Sequence, residues 1–181
     1  KPQDNVEEIA ATYIDNDKEI DSAEKALEGA RHILMENFAE HADLLESLRE
    51  LMWQQGRFYS KVQKGKEKLG KKFADYFSFD EAINKIPSHR ALALLRGRRE
   101  GFLSLALKLA NESSCVQKIA QFFDINYSSS QSNWLNQTVE WTWKVKLSPK
   151  LELELVNRLR ERSEEEAIDI FAKNLKDLLL L

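Results

Sequence analysis

Apolar residues recur every three or four positions along most of this chain, the period of an amphipathic helix. Val6, Ile9, Ala10 and Tyr13 mark a short helix over 4–14. The stretch "YIDNDKEID" that follows is a turn-rich loop. Asp21 and Glu24 have the reciprocal spacing of a capping box, so a helix should start there. Ala23, Leu27, Ala30, Ile33, Leu34 and Phe38 then place one apolar face on it. Leu44, Leu45, Leu48, Leu51 and Met52 predict another helix from about Ala42. Gly56 suits its end, because glycine tolerates a left-handed backbone.

Beyond Gly56 the pattern is mixed. Phe58, Ser60 and Val62 would lie on one side of a short extended segment. Phe73, Tyr76 and Phe77 return to helical spacing. Ser78 and Glu81 predict one more short helical stretch, ending before Pro87, which disfavours helix at the residue preceding it. Ser88 supplies an N-cap for the next helix. There Leu92 and Leu95 share a face, Ala91 and Leu94 sit beside it, and Gly97 or Gly101 is the stop. After Gly101 the period becomes two: Leu103, Leu105, Leu107 and Leu109 alternate with Ser104, Ala106 and Lys108. That alternation predicts a strand within about 102–109. A strand cannot satisfy its own ladder, so it needs a partner: the 58–63 segment or chain outside this sequence.

Helix resumes from Ser113 to about Phe123, with Val116, Ile119, Ala120 and Phe123 inward. "NYSSSQSN" is a polar loop. A long helix then carries Trp134, Thr138, Trp141 and Val145 on one stripe, with Leu135 and Val139 adjacent. Ser148-Pro149 predicts a fresh helix start, a cap followed by proline at the first helical position. The last helix has a seam of Leu151, Leu155, Leu159, Ile168, Phe171, Leu175 and Leu178. The charged run from Arg160 to Glu166 interrupts it and should face solvent on most sides. The fold class is therefore mainly α, multi-helical, with a small β element near 102–109. The 181 residues suit one domain, with two lobes, 1–86 and 87–181, as the alternative division. The chain starts at Lys1-Pro2 and stops at Leu178 to Leu181, inside an apolar helical pattern. We read it as a piece of a longer protein whose next part packs near Leu181.

Composition removes several classes. With 43% hydrophobic and 31% charged residues the chain is a folded, helix-rich protein and not a disordered one. No apolar run approaches the ~20 residues of a membrane span, and no signal peptide is visible. The one cysteine, Cys115, excludes an internal disulfide and suits a reducing cytosol, so a cytoplasmic location is expected. The net charge of −3 hides an asymmetry. Residues 1–50 carry 5 Lys/Arg and 14 Asp/Glu; residues 51–108 carry 13 and 5; residues 109–181 carry 9 and 11. A basic middle lies between acidic flanks.

Catalytic chemistry finds no support. His32, His41 and His89 lack the spacing of a zinc site, so no metal or cofactor is expected. Cys115, in the first turn of a helix, reads as a small buried hydrophobe. No glycine-rich phosphate loop, nucleophile elbow or catalytic carboxylate pair stands out, and Glu164 to Glu166 reads as a solvated face. Trp53, Trp134, Trp141 and Trp143 could stack on bases, but three of them sit at helical spacing amid leucine and valine, as core residues do. What remains is the basic middle: Lys61, Lys64, Lys66, Lys68, Lys71, Lys72, Arg96, Arg98 and Arg99. Lysines neutralise phosphate, and arginines contact it bidentately. The alternative is a merely soluble surface, or a contact to the acidic N-terminal third.

Four stretches carry a resemblance: "SKVQKGKEKLGKKFADYF", "INKIPSHRALALLRGRREGFLSL", "WTWKVKLSPKLELEL" and "LRERSEEEAIDIFAKNLKDLLLL". Together, and in that order, they resemble the bacterial transcription accessory protein Tex family. The resemblance implies a cytosolic, multidomain parent. In that parent a helical region precedes an RNase-H-like domain, helix-hairpin-helix modules and an RNA-binding OB-fold. This chain would be the helical central region, with no family catalytic residue and no enzymatic activity of its own. Its implied partners are nucleic acid (weakly, from this chain alone), the transcription machinery and the neighbouring RNase-H-like domain. No membrane is implied. Two functions follow: a scaffold with an auxiliary nucleic-acid-binding surface, or an architectural protein-interaction module without nucleic-acid contact.

Overall fold

The computed structural model describes residues 6–15, 19–125 and 133–180. Seven α-helices and three strands occur among them, so the mainly α reading with a small β element holds. Two compact units form, each assembled from two separate stretches: 1–48 with 112–149, and 49–111 with 150–181.

The first unit is helical. It holds α1 (Val6–Ala11), α2 (Ala23–Glu40), the start of α3 (Ala42–Gln55), α5 (Ser113–Phe122) and α6 (Asn133–Thr142). Helix α2 starts where expected, but the cap is Ser22, whose hydroxyl accepts the Lys25 N–H at 3.3 Å. Asp21 instead holds the Lys25 ammonium at 2.7 Å, so no capping box forms. Met35, Phe38, Leu44 and Leu48 are buried, as are Val116, Ile119 and Val139. Ile33, expected inward, is exposed. Thr138 and Thr142 are buried without penalty, because each hydroxyl donates to the carbonyl one turn back, Trp134 O at 2.8 Å and Thr138 O at 2.7 Å. Of the loop "YIDNDKEID", Asp15 and Ile20 pair as a bridge, and residues 16–18 lie outside the described residues. So does nearly all of "NYSSSQSN", whose final Asn133 opens α6.

The expected stripe on the tryptophan helix is displaced. The buried positions are Thr138, Val139, Thr142, Trp143 and Leu147, whereas Trp141 and Val145 are exposed. A π turn over Trp143–Leu147, one residue wider than an α turn, follows α6. It lies directly before Pro149, which has no N–H with which to continue the α ladder. The last helix does begin at Ser148, as expected, but Ser148 keeps helical torsions, φ −59° and ψ −48°, and is not the N-cap it was expected to be.

The second unit is built on a three-stranded antiparallel sheet of order β2-β1-β3: β1 Arg57–Val62, β2 Ser78–Ala82 and β3 Leu103–Lys108. The alternate leucines form β3, and the 58–63 segment is its partner, with Phe58 opposite Leu107, Ser60 opposite Leu105 and Val62 opposite Leu103. Phe58 and Leu103 are fully buried on the inner face. Ser78–Ala82, expected as helix, is a strand paired with β1, Glu81 opposite Phe58. Only a single 3-10 turn, Ile83–Lys85, precedes Pro87. Pairing to β1 supplies five residues with ladder partners that a one-turn helix could not offer.

Helix α4 (Ser88–Arg99) follows, and α7 (Ser148–Leu179) closes the unit. Pro87, not Ser88, occupies the N-cap position; the Ser88 hydroxyl donates to Glu166 of α7. Ala91 and Leu94 are the buried residues of α4, with Leu92 and Leu95 half-buried. Gly97 lies inside the helix, and Gly101, at φ +77°, turns the chain after it. Gly56 ends α3 without a left-handed backbone: a Cβ there would lie 2.3 Å from Met52 O and 2.9 Å from Leu107 Cδ1. Leu151, Leu155, Val156, Leu159 and Ser163 bury α7. Beyond Ser163 no described residue of α7 is buried, and Ile168, Phe171, Leu175 and Leu178 are exposed. Among the described residues no helix is long and apolar enough to cross a membrane.

Candidate nucleic-acid interface

All nine expected basic residues fall in the second unit, and all are exposed. Their backbone supports converge on Phe102. After β1, the Gln63 N–H donates to Phe102 O at 2.8 Å, and the Gly70 N–H closes the lysine loop onto Lys66 O at 2.8 Å. Gly65, at φ +79°, makes the turn. A Cβ on Gly70 would sit 3.2 Å from Phe102 Cβ, so the loop bearing Lys64, Lys66 and Lys68 is pressed onto that residue. Phe102 N–H in turn donates to Gly97 O at 2.9 Å, fixing the end of α4. The lysine loop and the arginine-bearing helix end therefore share one anchor.

A 3-10 turn, Lys71–Tyr76, carries the next two lysines. The Lys72 ammonium lies 5.1 Å and 5.9 Å from the ring centres of Phe73 and Phe102. It also pairs with Glu100 at 2.5 Å, while Arg96 Nε donates to the other Glu100 oxygen at 2.7 Å. Hydrogen bonds first from Lys72 and then from Arg96 hold the Glu100 carboxyl below its ordinary range. Lys72, Tyr76, Leu92 and Arg96 line a hollow of ≈ 430 Å³.

Arg96, Arg98 and Arg99 line a second, open groove of ≈ 580 Å³ with Leu92 and Leu95. Its far wall is Arg160 and Glu164 of α7. Among the described residues Arg98, Arg99 and Arg160 make no ion pair. Of the three expected arginines, only Arg96 pairs with Glu100. Lys61 is not brought to this groove. It stands on the outward sheet face with Tyr59, Ser104 and Lys108, around a separate hollow of ≈ 560 Å³.

Arg160 is the residue sequence reasoning missed. The signal was present in "RLRER", where Arg158, Arg160 and Arg162 alternate. At about 100° per helical residue, Arg160 points away from the other two. Those two do structural work: Arg158 lies 4.2 Å over the Trp53 ring, and Arg162 donates to Ile86 O at 2.6 Å and Asn84 O at 3.1 Å.

The remaining candidates are placed as follows. Trp53 and Trp143 are buried, while Trp134 and Trp141 both take the Arg31 guanidinium on their faces at 5.6 and 5.4 Å. Cys115 is fully buried, and burial pushes its thiol up to about 12, far from a reactive thiolate. Among the described residues no three His, Cys, Asp or Glu side chains gather as a metal site.

A family model described as "Tex central region-like" matches residues 1–171. The chain is 46% identical to the "Transcriptional accessory protein Tex" of Neisseria gonorrhoeae, over 99% of this chain and 24% of that protein. It is 45% identical to "Protein tex" of Bordetella pertussis, over 95% and 23%, and 43% identical to "Protein YhgF" of Escherichia coli, over 99% and 24%. The chain thus spans about a quarter of the length of these curated relatives.

Proposed function

The chain belongs to the family of Tex central regions, and we propose that it is a non-catalytic scaffold that adds a nucleic-acid-binding surface to a transcription accessory protein. The observation that carries this reading is the convergence of Arg96, Arg98, Arg99 and Arg160 on one groove, beside a lysine loop pinned to the same Phe102. Arginine guanidinium groups suit phosphate oxygens, and flanking lysines act as point charges. Contacts from such cations are to the sugar–phosphate backbone and carry no sequence information directly. The transcriptional role named for the Neisseria relative supports the biological setting, which we take to be cytoplasmic. Within the complete protein the transcription machinery and the RNase-H-like domain are the proposed neighbours.

Anisotropy titration with a labelled single-stranded RNA and a labelled DNA duplex tests it, against a variant carrying Lys66→Glu, Lys68→Glu, Arg98→Glu and Arg99→Glu. The native chain binds at low salt and the variant does not. Equal behaviour of the two proteins defeats the reading.

One observation favours a second reading, the architectural module. The C-terminal end of α7 exposes Phe171, Leu175, Leu178 and Leu179. Such a run suits a protein surface elsewhere in the complete Tex protein.

A further inference from the structure

The outward face of the sheet carries chemistry that the arginine groove does not use. Successive side chains of a strand point to opposite faces. Phe58 and Ser60 are buried inward, so Arg57, Tyr59 and Lys61 stand on the outer face of β1, the central strand. Register places Lys108 of β3 opposite Arg57, and Ser104 opposite Lys61. Lys61, Ser104 and Lys108 are exposed and Tyr59 is half-buried, around the open hollow of ≈ 560 Å³. One carboxylate lines that hollow, Asp80, and Arg57 already holds it at 2.6 Å. Among the described residues neither Lys61 nor Lys108 makes an ion pair. The unbalanced charge on this face is therefore positive.

The two free lysines bracket the tyrosine. Lys61 is two residues beyond it, and Lys108 is opposite the residue two before it. At a rise of about 3.4 Å per residue, each stands about 7 Å from Tyr59 along the strand. Ala106 is directly opposite Tyr59, and a methyl group is too small to cover a phenol ring. We propose that this face is a stacking platform for single-stranded nucleic acid, with one base on the Tyr59 ring and the phosphates on either side neutralised by Lys61 and Lys108. The proposal rests on the phosphate-binding reading above and extends it from backbone to base. Only Val62 and Gln63 separate Lys61 from Lys64, so the charge of the lysine loop begins where that of the sheet face ends. A base inside a duplex is stacked on both sides, so only an unpaired one can lie on the ring. Every base has a π face, so the platform accepts any sequence. An acidic peptide would answer the lysines and leave the ring unused.

The probes are a labelled oligothymidylate of roughly 12 nucleotides and the same oligomer with abasic sites in place of its bases, read by anisotropy at low salt. The 181-residue chain is compared with Tyr59→Leu, which keeps apolar bulk, with Tyr59→Phe, which keeps the ring, and with the double variant Lys61→Gln, Lys108→Gln. Circular dichroism melts check that each is folded. Tyr59→Leu should weaken oligothymidylate binding at least about fivefold and leave the abasic oligomer within about twofold. Tyr59→Phe should stay within about twofold on both. The lysine pair should weaken both oligomers and make the salt slope shallower by about 1.4. Unchanged oligothymidylate binding by folded Tyr59→Leu, an equal loss on the abasic oligomer, or unchanged binding by the folded lysine variant each overturns the platform and leaves the arginine groove standing. Displacement of the oligothymidylate by polyglutamate as readily as by its own unlabelled form overturns it in favour of an acidic peptide. Failure of the native chain to bind either oligomer overturns both readings.

Discussion

Lys72 and Arg96 close on opposite oxygens of a single carboxylate, Glu100, at 2.5 and 2.7 Å. Two of the nine cations of the candidate interface are therefore already partnered, and by a group that resembles a phosphate in charge and geometry. Glu100→Gln releases both. Its affinity for single-stranded RNA at low salt should rise about threefold for each freed contact, as read by anisotropy. A fall in affinity would show that Glu100 positions the two cations instead of occupying them.

The same carboxylate has a pH signature. Glu100 is depressed in the folded protein, so its stabilising contribution is present above the ordinary carboxylate range and is lost as pH falls through the lowered value. Thermal melts of the native chain and Glu100→Gln should differ at neutral pH and merge in acid. A gap that widens in acid contradicts the assignment.

Arg160 and Arg162 are two residues apart and should behave oppositely. Arg160→Ala removes a groove wall and should weaken nucleic-acid binding with little effect on stability. Arg162→Ala strips donors from two part-buried carbonyls, Asn84 O and Ile86 O, and should cost roughly 1–3 kcal/mol in urea unfolding. The reverse pattern would reassign the two residues.

Gly97 joins the arginine-bearing helix to the sheet at van der Waals contact. A Cβ there would meet Leu103 Cδ1 at 2.5 Å and Cγ at 2.8 Å, and Leu103 is fully buried. Gly97→Ala should destabilise the chain by about 1–3 kcal/mol in urea unfolding. Because Phe102 N–H donates to the Gly97 carbonyl, the lysine loop should loosen with it, seen as faster amide exchange at Gln63 and Gly70.

The exposed end of α7 is tested by comparing this chain with the full-length protein. Leu178 and Leu179 are 69% and 75% exposed here, so changing both to serine should leave the 181-residue chain unaffected. If a further domain covers them, the full-length protein loses up to about 1.5–3 kcal/mol per leucine. Equal, negligible effects in both would remove the architectural reading.

Where periodicity had a single cause, the sequence was legible. The alternate leucines of 103–109 could only be a strand with one face inward, and the 58–63 segment was its nearest candidate partner. Ser78–Ala82 misled because Ser and Glu three apart also suit a helix cap, while the strand there exists through pairing to β1, which is not local. Ser148-Pro149 marked the start of the last helix correctly but not its cap, because a wide turn over Trp143–Leu147 leads into Ser148 with helical torsions already in place. The basic residues themselves could be named from composition. Their sorting could not, since Arg160 reaches the groove across about 60 residues of chain and Lys61 is turned to the other side of the sheet.

The central claim is that the Arg96–Arg99 helix end and the lysine loop bind phosphate, and salt dependence tests it most directly. Affinity for labelled single-stranded RNA is measured across a series of salt concentrations for the native chain and for the Lys66, Lys68, Arg98 and Arg99 to glutamate variant. Each cation that releases a counterion contributes about 0.7 to the slope of log affinity against log salt. The native chain should lose affinity linearly, and the variant's slope should be shallower by about 3. Parallel lines for the two proteins, or no binding by either at the lowest salt, would contradict the account.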